Sequence, residues 1–79
     1  MNRVISVEAK ENYTLLVKLS NGKVGEFDVS PYLDKGIFQE LKNIGYFGQA
    51  RPAFGGVVWP HEQDFSADTI EVEMKRVNA

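Results

Sequence analysis

Three features of this 79-residue chain predict an α+β fold, with a small antiparallel sheet of about five strands packed against one short helix. Apolar and polar residues alternate at a period of two in the first part of the chain. An Asn21-Gly22 pair separates two such runs. From Ile37 to Ile44 the apolar spacing changes to three and four, the period of a helix with one covered side.

The first strand falls at residues 4 to 9, with Ile5, Val7 and Ala9 on one side and Ser6 and Glu8 on the other. A second run from Tyr13 to Leu19 aligns Tyr13, Leu15, Val17 and Leu19, and a third runs from Lys23 to Val29. Burial selects the register between the last two. A two-residue Asn-Gly loop would place Glu26 and Asp28 on the apolar face. A three-residue Ser20-Asn21-Gly22 loop with left-handed Gly22 instead pairs Leu19 with Lys23, Val17 with Gly25, Leu15 with Phe27 and Tyr13 with Val29. A one-residue slip turns every side chain over, so the bulged loop is expected.

Ser30-Pro31 reads as an N-cap followed by proline at the first helical position, and Gly36 stops or bends that turn. The short helix follows, with Ile37, Phe38, Leu41 and Ile44 against the sheet and Asn43 and Gly45 as its stop. Tyr46 to Arg51 and Val57 to Trp59 make a second hairpin around Gly55-Gly56, with Pro52 keeping its strand at an edge or an end. Ser66 can cap a final helical turn, yet Ile70, Val72 and Met74 alternate as in a strand, so residues 66 to 76 admit both forms.

Composition bounds the class. A chain of this size forms one domain, 1 to 79, and buries only about 60 to 65 per cent of the surface its unfolded form exposes. Forty-three per cent hydrophobic residues and a net charge of −2 fit a folded domain rather than a disordered one. The nine Lys and Arg residues are scattered, so nucleic-acid binding by this chain alone is not expected. With no cysteine, disulfides and thiolate metal sites are excluded, and a reducing, cytoplasmic location is expected. No signal-peptide core and no apolar run of membrane-spanning length is present.

The segment from Gly55 to Phe65 gathers the single tryptophan, the single histidine and Asp64. His61 is a residue type suited to general-base work, but no cysteine, second histidine or Gly-x-Ser-x-Gly turn accompanies it. Catalytic residues are therefore not assigned. A metal site from His61, Glu62, Asp64 and Asp68 would have one histidine and too few oxygen ligands, so neither a metal nor a cofactor is expected. Gly55-Gly56 lacks the spaced glycines and lysine of a phosphate loop. Asp64 reads as a loop anchor through its carboxylate, and Trp59 as a core residue or as an exposed interface anchor. Trp59, His61, Asp64 and Arg51 are the candidate binding residues. Glu40 with Lys42, and Glu71 with Lys75, read as solvated charges.

The chain resembles the small prokaryotic proteins of domain-of-unknown-function family 2442. The shared residues are Val4 to Val7, Tyr13-Thr14-Leu15-Leu16-Val17-Lys18-Leu19 with Asn21-Gly22, Phe27-Asp28-Val29, Phe38, Leu41, Phe47, and Val58-Trp59-Pro60 followed by Asp64. The Trp-Pro-x-x-x-Asp element is the most specific of them. His61-Glu62-Gln63 departs from the small residue or Asn-Gly pair usual after Trp-Pro. The resemblance implies an α+β fold, no established activity, and a gene neighbourhood that suggests toxin–antitoxin pairing. Some members carry an appended helix-turn-helix, and none is expected here before the chain ends at Ala79.

Taken together, the sequence leads to a non-catalytic protein-interaction or regulatory module, antitoxin-like in its pairing with a neighbouring small protein. The competing expectation is a small ligand-binding domain or enzyme using the loop from Trp59 to Asp64. Homodimerisation through a sheet edge is the further possibility that short unpaired strands leave open.

Overall fold

The early alternation forms strand β1 (Val4–Lys10), antiparallel to β2 (Thr14–Leu19), which pairs in turn with β3 (Val24–Asp28). The computed structural model that shows this describes residues 2–77; Met1, Asn78 and Ala79 of the expected domain lie outside them. The hairpin register is the bulged one. Leu15 faces Phe27, Val17 faces Gly25, the Leu19 N–H donates to the Lys23 carbonyl at 2.9 Å, and Gly22 has φ +90°.

In β1 the expected inward set is corrected at one position. The pairing slips between Val4, opposite Leu19, and Ser6, opposite Lys18. This extra residue turns Val4 into the core and leaves Ile5 46% exposed, because a bulge inverts the alternation on one side of itself. Tyr13 is also displaced from the strand. Asn12 and Tyr13 both have positive φ, 59° and 57°, in the turn between β1 and β2, so that β2 begins at Thr14.

Ser30–Tyr32 is a single 3-10 turn with Pro31 inside it, and Ser30 does not cap it. Its N–H and hydroxyl instead donate to the Asp28 carboxylate at 2.9 and 2.7 Å. Gly36–Lys42 is likewise a 3-10 helix. With three residues per turn, Phe38 and Leu41 stack on one row facing the core, while Ile37 falls on an exposed row. Ile44, expected as part of that covered side, is 76% exposed.

The expected strand at 46 to 51 is a correction of type. Ile44–Phe47 is an α-helical turn, α1, and Asn43 begins it rather than ending its predecessor: the Asn43 carbonyl oxygen of the side chain accepts the Tyr46 N–H at 3.1 Å. Tyr46 and Phe47 are both buried. Adjacent residues on a strand point to opposite faces, whereas the helical turn lets both rings pack toward the same core.

Strands β4 (Arg51–Ala53), β5 (Gly56–Val58) and β6 (Asp64–Phe65) form a separate three-stranded sheet. Helix α2 (Ala67–Glu73) follows, capped by the Ser66 hydroxyl, which accepts the Thr69 N–H at 3.1 Å. Ala67, Ile70 and Met74 are buried and Val72 is not, which is helical spacing. Residues 75 and 76 return to extended form as β7 (Lys75–Arg76) beside β3, so both forms read from this segment occur in succession.

The chain is thus α+β, with antiparallel sheets of four (β1-β2-β3-β7) and three (β4-β5-β6) strands and several short helices, rather than one sheet of five strands on one helix. Its core joins both sheets: Leu15, Val17, Leu19 and Phe27 from the first meet Val57, Trp59 and Phe65 from the second, closed by Leu41 and Ile70. Phe27 and Phe65 meet edge to face at 5.0 Å, and Trp59 and Phe65 at 5.9 Å. Among the described residues, no helix is long and apolar enough to cross a membrane.

Candidate functional site

The loop from Trp59 to Asp64 is built from the core outward. Trp59, the residue after β5, continues the alternation of Val57 and is 2% exposed, with its indole N–H donating to the Phe47 carbonyl at 2.9 Å. The next residues turn over: the Glu62 N–H reaches the Trp59 carbonyl at 3.2 Å, and the Trp59 N–H reaches the Gln63 carbonyl at 3.0 Å. Gln63, not Asp64, anchors this turn. Its side chain is 1% exposed, accepts the Tyr46 hydroxyl at 2.6 Å, and donates to the Ile37 carbonyl at 2.9 Å and to Glu40 at 3.0 Å. The Asp64 side chain is exposed on the short strand β6.

The four candidate binding residues do not converge. Arg51 and Asp64 each pair with Val58, from opposite sides. All three therefore project from the same face of the sheet, with the Arg51 and Asp64 backbones about 10 Å apart at two strand spacings. Trp59 neighbours Val58 on the strand and points to the opposite face, into the core. His61 lies at the loop's apex, its ring stacked on Tyr46 at 5.2 Å and its Nδ1 2.6 Å from a Glu40 carboxylate oxygen. The His61 N–H donates to the Tyr46 hydroxyl at 2.8 Å. The hydrogen bond from the Gln63 amide, with a smaller contribution from His61, holds the Glu40 carboxyl below the usual carboxylate range. Among the described residues, no group of three or more His, Asp or Glu is placed to hold a metal ion.

A different concavity gathers apolar groups. A cleft of about 320 Å³ is lined by Lys10, Glu11, Asn12, Tyr13, Ile44 and Phe47. Phe47 forms its floor, buried by its contacts with Tyr13 (5.4 Å, edge to face) and Trp59 (5.9 Å). Ile44 stands on the lip, and the Tyr13 hydroxyl donates to the Lys42 carbonyl across from it. Two consecutive left-handed residues shape this wall without a glycine, a conformation disfavoured for side chains as large as Tyr13. A broader polar hollow of about 580 Å³ lies nearby, with Glu26, Asp28, Glu73 and Lys75 at its border.

Sequence reading missed Tyr13, Ile44 and Phe47 as a group, because it placed Tyr13 on a strand and Ile44 inside a covered helix face. Glu40 and Gln63 were missed as partners because 23 positions separate them and no local pattern joins them.

Two antiparallel sheets sharing one core with short helices define a small α+β domain. The chain belongs to the family described as protein of unknown function (DUF2442), whose model matches residues 4–76. No curated protein matches it, and no solved structure does.

Proposed function

We propose that this protein is a non-catalytic protein-interaction or regulatory module, working in the cytoplasm, and that a partner protein seats an apolar side chain in the cleft between Tyr13, Ile44 and Phe47. The observation supporting this reading is the placement of Ile44, 76% exposed on the lip of a cleft whose floor is aromatic. An apolar residue so placed adds little to the fold, whereas it adds contact area for a partner. Antitoxin-like pairing with a small protein encoded next to it is the form of this interaction that the family resemblance favours. An enzyme or small-ligand site on the tryptophan loop has less support, since Arg51 and Asp64 lie on the face away from Trp59.

The test is co-expression with the product of the neighbouring gene, followed by purification of the pair and titration of the isolated components. Ile44→Lys should weaken the complex at least tenfold while leaving the unfolding transition unchanged. An affinity unaffected by Ile44→Lys would remove the cleft from the interaction, and failure of the two proteins to associate would remove the pairing itself.

A further inference from the structure

The hairpin of β4 and β5 closes through a two-residue loop, Phe54-Gly55, between paired Ala53 and Gly56, and both loop residues have positive φ, 51° and 82°. This is the primed turn that suits the twist of a hairpin, and its first central position favours Asn, Asp or Gly. Phenylalanine there is strained. Its ring is also 98% exposed, so the fold gains no packing in return. The tip borders a cleft of about 160 Å³ shared with Asn2, Ser66, Ala67 and Asp68. One helical turn beyond Asp68 on the same side of α2 stands Val72, 84% exposed. The Arg3 Cβ lies 3.9 Å from where a side chain at Gly55 would begin. Neither Arg3 nor Asp68 forms an ion pair among the described residues.

We infer that this end of the molecule joins a second copy of the chain across a two-fold axis, with Phe54 and Val72 of each protomer packed against those of the other and Arg3 opposite the partner's Asp68. The occupant follows from the charge arrangement. An apolar centre bordered by an unpaired cation and an unpaired anion offers a second copy of itself the opposite charge for each. A uniformly basic or acidic partner would leave one of the two charges facing its own sign. An anionic lipid surface would meet the Asp68 carboxylate beside the ring. Of the sheet edges, β6 and β7 are two residues long and β4 three, and the seven-residue β1 carries the exposed charges Glu8 and Lys10, a composition that discourages edge pairing. A stable interface removes about 800 Å² per protomer, roughly a sixth of the 5046 Å² surface here. The tip therefore serves as the anchor of a face that continues along α2. This inference is independent of the cleft at Ile44.

Sedimentation equilibrium of the purified protein alone tests it. The wild type should dimerise in the micromolar range, and Phe54→Asn should weaken the dimer at least 30-fold. Asparagine suits the positive φ, so this variant keeps or improves the turn, which an unchanged or higher unfolding midpoint of the monomer would show. Asp68→Arg should weaken the dimer, and Arg3→Glu added to it should restore association. A wild type that stays monomeric throughout, a Phe54→Asn dimer as tight as wild type, or a charge pair that fails to rescue would each overturn the inference. Phe54-dependent sedimentation with anionic vesicles by a monomeric protein would overturn it as well. Because no second protein is present, these failures leave the partner-binding reading standing on its own test.

Discussion

The Tyr46 hydroxyl donates to the buried Gln63 side chain at 2.6 Å and accepts the His61 N–H at 2.8 Å, tying the helical turn α1 to the tryptophan loop from within. One phenol thus fixes both the base of the loop, through Gln63, and its apex, through the backbone of His61. The bond to Gln63 is buried and the bond from His61 partly so, a setting where an unmade bond is expensive.

Replacing Gln63 with Leu should therefore destabilise the protein by about 1–3 kcal/mol, since the Tyr46 hydroxyl and the Ile37 carbonyl lose a buried partner. For a chain of this size that corresponds to a fall in melting temperature of at least about 5 °C. Asp64→Ala, at an exposed position, should change stability by no more than about 0.5 kcal/mol. Urea unfolding of the two variants measures the contrast, and the reverse order would return the anchoring role to Asp64.

Gly56 has a close-approach requirement that Gly48 lacks. A Cβ at Gly56 would lie 2.2 Å from the Phe65 carbonyl oxygen, so β5 and β6 must separate to admit it. Gly56→Ala should lose about 1–3 kcal/mol. At Gly48 the nearest atoms are at an ordinary 3.6 Å with the residue in the right-handed helical region, and alanine there should be neutral or stabilising by up to about 1 kcal/mol. Thermal melts of both variants decide the point.

The carboxylate of Glu71 accepts hydrogen bonds from the Lys23 ammonium at 2.7 Å, the Asn21 amide at 3.1 Å and the Asn2 amide at 2.8 Å, which together hold its pKa below the ordinary value. Glu40 is lowered by Gln63 and His61. A depressed folded-state pKa stabilises the protein above the unfolded-state value and loses that contribution as pH falls through the folded-state one. Stability should accordingly be level with respect to these groups above about pH 5 and decline below the ordinary glutamate value near 4.5. In Glu71→Gln the decline between those limits should be shallower, as measured by urea midpoints across the acid range. A slope unchanged from wild type would show that Glu71 ionises alike in both states.

Trp59 reports on the whole arrangement because it is the single tryptophan and is 2% exposed. Its native fluorescence should be blue-shifted and weakly quenched by acrylamide, and both properties should be lost together in urea. His61→Ala should leave them intact, since the backbone N–H of residue 61 keeps its bond to Tyr46. Strong quenching in the native protein would place the indole at the surface and contradict the core described above.

What the sequence by itself determined is the local and the periodic. Alternation in residues 13 to 29, with Gly22 free to take positive φ, dictated the register of Leu15 with Phe27, because the other register would have buried Glu26 and Asp28. Ser66 likewise marked the point where a helix could start, through a bond to a backbone N–H three residues away, while the alternation after it left helix and strand both open. Tertiary structure decided everything that depends on residues distant in the chain. Tyr46 and Phe47 form a helical turn because two neighbouring rings are buried together, and the Gly55 carbonyl accepting the Val4 N–H brings the second hairpin against the bulged start of β1. Gln63 displaced Asp64 as the loop's anchor once Tyr46, Ile37 and Glu40 surrounded it. No spacing rule encodes that assembly, since its free energy comes from side chains that meet only after both sheets have closed over one core.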